Sequence, residues 1–192
     1  SDTTAYVNSF RNVIMDLSKY GGLKRTPVMD NVAQEVDLLT GQVIWEWHSL
    51  GNIRVPETYK DIPSKITRPF DYFHLNSISR DSDGNMLISA RHTCALYKIN
   101  RETGKVMWRM GGKDSDFKLA SGFRFCYQHD FRPHPNGTYS IFENGAADGE
   151  LKPKARMSKA YIFRINQKKK TTALVKTYIH PGNLLSPSQG NT

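Results

Sequence analysis

The sequence predicts an all-β fold, a β-propeller built of four-stranded antiparallel blades, of which about three are present. Three observations predict it. Short segments rich in β-branched and aromatic residues alternate with turn pairs: Thr40-Gly41, Asp83-Gly84, Thr103-Gly104 and Asn136-Gly137. The pattern repeats, with Asp37, Asn100 and Asn166 standing before three hairpin turns at separations of 63 and 66. Trp45 and Trp108 are also 63 apart. Such a unit is a blade with long connections, since ordinary blades run roughly 40–50 residues.

The elements follow in order. Asn8 to Tyr20 reads as a short helix or an irregular strand. Gln34–Asp37 and Gln42–Trp47 flank a hairpin turn. An inner strand begins at His74, and Asn85–Ala90 follows the Asp83-Gly84 turn. Ala95–Ile99 and Lys105–Trp108 form an outer hairpin. His129 opens the next unit, Thr138–Phe142 follows Asn136-Gly137, and Ala160–Ile165 turns through Lys168–Lys170 into Thr172–Val175. The blades therefore fall at 1–50, 71–113 and 128–181, with 182–192 opening a further one. Residues 1–29 would supply the inner strands of the first. Propellers close with about 4–8 blades. The open edges thus call for remaining blades or a partner chain.

Composition narrows the function. The chain has 192 residues and a net charge of +9. Its basic residues are scattered and no aromatic RNA-binding motif accompanies them, so nucleic acid is not expected. Attraction for anionic substrates is the better use of that charge. No apolar run approaches the roughly 18–20 residues of a membrane helix. The start at Ser1, without Met or an apolar leader centre, is expected of a processed or cut chain. Cys94 and Cys126 match neither a redox pair nor a zinc framework. A single disulfide is allowed, and two free buried thiols are favoured.

Candidate chemistry sits at the starts of the inner strands. Period-two alternation puts His74 and Asn76 on one face, and Arg91 and His92 end the following strand. Tyr127, Gln128 and His129 open the next blade, with His129 read as the counterpart of His74 at a separation of 55. Imidazoles and a guanidinium converging on a channel suit a tetrahedral oxyanion. Asn136-Gly137-Thr138 is both a glycosylation sequon and a hairpin turn. Asp81–Asn85 has Gly at its fourth place and His92 at the twelfth, which makes it a tight turn and not a calcium loop. Trp45, Trp47 and Trp108 are read as packing between blades.

The runs Asp71–Ser77, Ile88–Thr93, Trp108–Lys113, Gln128–Asp130 and Ser188–Asn191 resemble the arylsulfotransferase family, in its second, fungal and bacterial branch. The resemblance extends from about Tyr6 to the C-terminus. It implies a six-bladed propeller, secretion, and sulfuryl transfer from an aryl sulfate to a phenol without a nucleotide donor. No cofactor and no metal are expected. His129 matches the nucleophile that becomes sulfated, His74 a supporting histidine, and Arg91 a sulfate-binding arginine. His92, Asn76, Tyr127 and Gln128 are then candidate substrate contacts, and His92 or Tyr127 a proton carrier. A further family histidine has no secure match, because His48 follows an outer strand, and Asp130 after His129 departs from the family pattern. Two other classes compete. One is a metal-dependent hydrolase with His74, His92 and His129 as ligands. The other is a non-catalytic propeller acting as a scaffold.

Overall fold

A computed structural model describes residues 3–145 and 157–192. Residues 146–156, inside the expected third blade, lie outside that description. Eleven strands, β1 Thr4–Met15, β2 Thr26–Asp37, β3 Val43–His48, β4 Leu75–Arg80, β5 Met86–Ala90, β6 Ala95–Ile99, β7 Val106–Gly111, β8 His129–Pro133, β9 Tyr139–Glu143, β10 Lys159–Asn166 and β11 Thr171–Ile179, are described. They form three antiparallel sheets, β1-β2-β3, β4-β5-β6-β7 and β8-β9-β10-β11. The fold is all-β, an arc of blade-like sheets that the described residues do not close. Among the described residues, no helix is long and apolar enough to cross a membrane.

The three outer hairpins share one local device. The side-chain oxygen of Asp37 accepts from the amides of Leu39 and Thr40, that of Asn100 from Glu102 and Thr103, and that of Asn166 from Lys169. An Asx side chain that captures amides two or three residues on builds the turn from sequence alone. The tryptophans then join one sheet to the next. Trp45 Nε1–H donates to Arg101 O and Trp47 Nε1–H to Gly104 O, both at 3.0 Å in the second hairpin turn. Trp108 Nε1–H donates to Gln167 Oε1, at 3.2 Å in the third.

β2 and β3 occupy the outer-hairpin places that β6 and β7 fill in the second sheet. β1 therefore sits where β5 does, and among the described residues the first sheet has no strand in the place of β4. Residues before Thr26 supply one strand of the expected pair, β1, and no second one among the described residues. The Asn8–Tyr20 segment resolves as the end of β1, followed by one 3-10 turn at Ser18–Tyr20.

The cysteines correct the expectation of free thiols: Cys94 and Cys126 are joined in a disulfide, 32 residues apart in sequence. The bridge ties the β5–β6 turn to the segment entering β8. It packs with the ring of Tyr127 and the partly buried Tyr59.

Internal register fixes which residues correspond. The Asp81–Gly84 and His134–Gly137 turns close with the same backbone bond and lie 53 residues apart. Ser79↔Leu87 and Arg132↔Ser140 repeat that spacing. Fifty-three residues take His74 to Tyr127, Asn76 to His129 and Arg91 to Asn144. His74 and Tyr127 both adopt left-handed backbone, at φ 58° and 59°, as does Gln189 at 61°. His129 therefore corresponds to Asn76, and not to His74. Bulges between Leu75 and Ser77 and between His129 and Arg132 fall at matching places, so the 53-residue spacing of the turns carries through to the strand starts.

Candidate active site

The site is built where the inner strands begin. Asn31 of β2 donates to Asp71 Oδ1 and accepts from the Leu75 amide, which fixes the corner before β4. Asp71 Oδ1 accepts the His74 amide at 3.0 Å, and its Oδ2 lies 2.5 Å from His74 Nδ1. Burial works to raise the Asp71 pKa. The His74 hydrogen bond and the charge of His74 outweigh it and hold the carboxyl below the usual range. His74 thus presents Nδ1–H to a carboxylate and keeps Nε2 free for other work.

His92 packs on His74, with ring centroids 4.6 Å apart. Its Nδ1 lies 2.7 Å from Asp71 O and its Nε2 3.3 Å from Arg91 Nη1. A carbonyl only accepts and a guanidinium only donates. His92 is therefore a neutral imidazole with both nitrogens committed. Burial, ahead of the charges of His74 and Arg91, pushes its pKa down to about 4. This removes His92 from the part of proton carrier. The guanidinium of Arg91 lies 3.9 Å over the Tyr127 ring, and its Nη2 donates to Pro187 O at 3.2 Å. Tyr127 is 2% exposed, and its hydroxyl is buried without a hydrogen-bond partner among the described residues.

His129 is half-buried. Its Nδ1 lies 2.7 Å from Asn144 Oδ1 and 3.1 Å from Tyr127 O. The Asn144 amide nitrogen donates to Ser186 O and Gln189 O, so its oxygen must face His129. Two acceptors hold the proton on Nδ1, and the lone pair of His129 is on Nε2. Burial is the main cause that lowers the His129 pKa, and the charges of Arg91 and His74 add to it. The unprotonated nitrogen is thus available at neutral pH.

Not every candidate joins this group. Gln128 is fully buried and donates to Ser89 Oγ, Ala90 O and Ala95 O, a staple inside the blades. Asn76 donates to Gln128 O at 2.7 Å and joins neighbouring inner strands. Exposed Asn136 accepts from the Thr138 amide and hydroxyl, which builds the hairpin turn. His48 lies between Asp30 and Glu46, at 2.7 and 2.9 Å. Burial opposes a rise in its pKa, but the two carboxylate bonds outweigh it.

The family model described as Arylsulfotransferase (ASST) matches residues 1–192. The chain belongs to the arylsulfotransferase family. No curated protein matches this arylsulfotransferase-family chain. A solved structure, described as a protein of unknown function from Bacteroides caccae, is 9% identical with a TM-score of 0.41. The match covers 90% of this chain and 46% of that one, so the chain spans less than half of that structure's length.

Within this family member, sequence reasoning missed Asp71 and Asn144. Asp71 stands three residues before His74, the spacing at which an Asx side chain captures an amide. Asn144 stands 53 residues after Arg91, a signal legible only once the register is known. Among the described residues, the atoms of Asp71, His74 and His92 lie within 4.8 Å of one another, a group that could hold a metal ion. His129 is not part of it. A cation there would break the His74–Asp71 bond and sit beside the Arg91 guanidinium, which disfavours it.

Glu143, at the end of β9, is also perturbed. Burial pushes its carboxyl up to about 7, against the Gly145 amide bond and the charge of Lys159. His92 and Glu143 pull stability in opposite directions with pH. The part tied to His92 is whole above pH 6.5 and is lost as pH falls through about 4. The part tied to Glu143 is whole below pH 4.5 and is lost as pH rises through about 7. Each is worth about 3 kcal/mol, at about 1.4 kcal/mol per tenfold change in proton affinity. Glu143→Gln is therefore expected to expose a loss of stability on acidification, and His92→Gln a loss on raising the pH. Denaturant midpoints from pH 4 to 7 check this, and parallel profiles for the two variants would count against it.

Proposed function

We propose that the chain carries the sulfuryl-transfer site of an enzyme that moves a sulfuryl group from an aryl sulfate to a phenol through a sulfohistidine. The observation that supports it best is His129, with its proton fixed on Nδ1, its lone pair left on Nε2, and Arg91 and His74 near enough for their charges to act on the ring. Nε2 attacks sulfur in line, an N–S bond forms and the S–O bond to the aryl group breaks. Arg91 holds sulfuryl oxygens as charge moves to the departing oxygen. In its cationic form His74 carries a second proton on Nε2, which passes to the phenolate and leaves a neutral ring whose Nδ1–H stays on Asp71. The acceptor phenol returns that proton and takes the sulfuryl group, which regenerates His129. The Cys94–Cys126 bridge supports an oxidising compartment, outside the cell or in a periplasm.

The test is a quenched reaction with an aryl sulfate and no acceptor, followed by peptide mass spectrometry. A sulfuryl mass on the His129 peptide, absent in His129→Ala, is expected. Normal donor binding with no histidine-linked sulfate would leave the non-catalytic, ligand-binding reading in its place.

A further inference from the structure

We infer that Asn144 is the positioning residue of His129, holding the Nδ1 proton without taking it, and that the C-terminal segment 186–192 holds the Asn144 amide in place. The geometry stands by itself; what Nε2 then does rests on the sulfuryl-transfer reading above.

The amide of Asn144 is fastened on both sides. Its Nδ2 donates to Ser186 O at 2.9 Å and Gln189 O at 2.7 Å, and its Oδ1 lies 2.7 Å from His129 Nδ1. Ser158 Oγ donates to Asn144 O at 2.9 Å and accepts the Ser186 amide at 2.7 Å. Arg91 leans on the same stretch through Pro187 O. Three carbonyls of one segment, those of Ser186, Pro187 and Gln189, therefore orient both the anion holder and, through Asn144, the imidazole. The segment is seated on the third sheet: the Thr192 amide donates to Asp130 Oδ2 at 2.7 Å. Gly190 is required there, since a Cβ at its φ of 113° would stand 2.5 Å from the Phe142 ring.

The partner's chemistry matters as much as its place. After transfer, His129 carries sulfuryl on Nε2 and a proton on Nδ1, a cationic ring that gives up the group readily. An amide oxygen is too weak a base to remove that proton, whereas a carboxylate would share it and make the N–S bond harder to break. The charged or titratable groups facing His129 are Arg91, His74 and Asp130. None of them touches Nδ1 among the hydrogen bonds described.

The test uses 15N-histidine-labelled protein and two-bond 1H–15N spectra of wild type, Asn144→Leu and Asn144→Asp across pH. Wild type is expected to show one Nδ1–H tautomer. Asn144→Leu should show mixed tautomers. Asn144→Asp should keep the proton on Nδ1 and raise proton affinity at least about tenfold. With an aryl sulfate, Asn144→Asp should accumulate sulfohistidine and hand it to the acceptor at least about tenfold more slowly. An unchanged tautomer in Asn144→Leu, or an unchanged pKa in Asn144→Asp, overturns the inference. If the spectra respond as described but no form becomes sulfated, the sulfuryl-transfer reading falls and the positioning role stands.

Discussion

Arg91→Lys is expected to slow sulfuryl transfer by about a hundred- to a thousandfold, the cost of removing a preorganised donor from a developing anion. His129→Ala is expected to end transfer altogether and to leave donor binding nearly intact. The two variants separate holding from bonding. Arg91 is locked by three planar contacts: the Tyr127 ring, His92 Nε2 and Pro187 O. A lysine ammonium cannot make all three while facing an oxyanion, so charge alone does not rescue the site. His129 contributes one lone pair and little binding. Steady-state kinetics together with isothermal titration of an aryl sulfate check both. Equal loss of donor binding in the two variants would show that His129 holds the ligand and does not bond to it.

Lys98→Met is expected to cost about 3–5 kcal/mol of stability, the penalty for stranding a buried partner charge. Lys98 is 1% exposed and reaches Asp81 Oδ2 at 2.6 Å and Asp83 Oδ2 at 2.7 Å. Asp83 is half in water and can rehydrate, but the Asp81 side chain is only 2% exposed. Asp81 also accepts the Ser82 amide and the Tyr139 hydroxyl. The double variant Lys98→Met/Asp81→Asn keeps those bonds and removes the charge, so most of the loss should return. Urea midpoints measure it. A single variant within about 1 kcal/mol of wild type would mean that water reaches the pair.

The parts legible in the sequence were the locally encoded ones. Asp37, Asn100 and Asn166 build their turns from neighbouring amides, so spacing alone located the hairpins. Trp45 and Trp108 marked the seams because their partners repeat with the turns. Asn144 reads as an ordinary polar residue after a strand. Its role depends on Ser186 and Gln189, more than forty positions away. The Cys94–Cys126 pairing had no local signal, since only the packing of two turns brings the sulfurs together. Gln128 stands beside His129 in sequence, which makes it a candidate substrate contact, but its three long-range bonds to Ser89, Ala90 and Ala95 hold it inside the blades.

The indole contacts also make the molecule its own optical gauge. All three tryptophans of the chain stand at seams, Trp45 and Trp47 at the first and Trp108 at the second. Intrinsic fluorescence therefore reports the parting of adjacent sheets, while far-ultraviolet dichroism reports the strands within them. If the arc loosens before its sheets melt, emission will shift red ahead of the dichroic change. Single-tryptophan variants would then show which seam opens first.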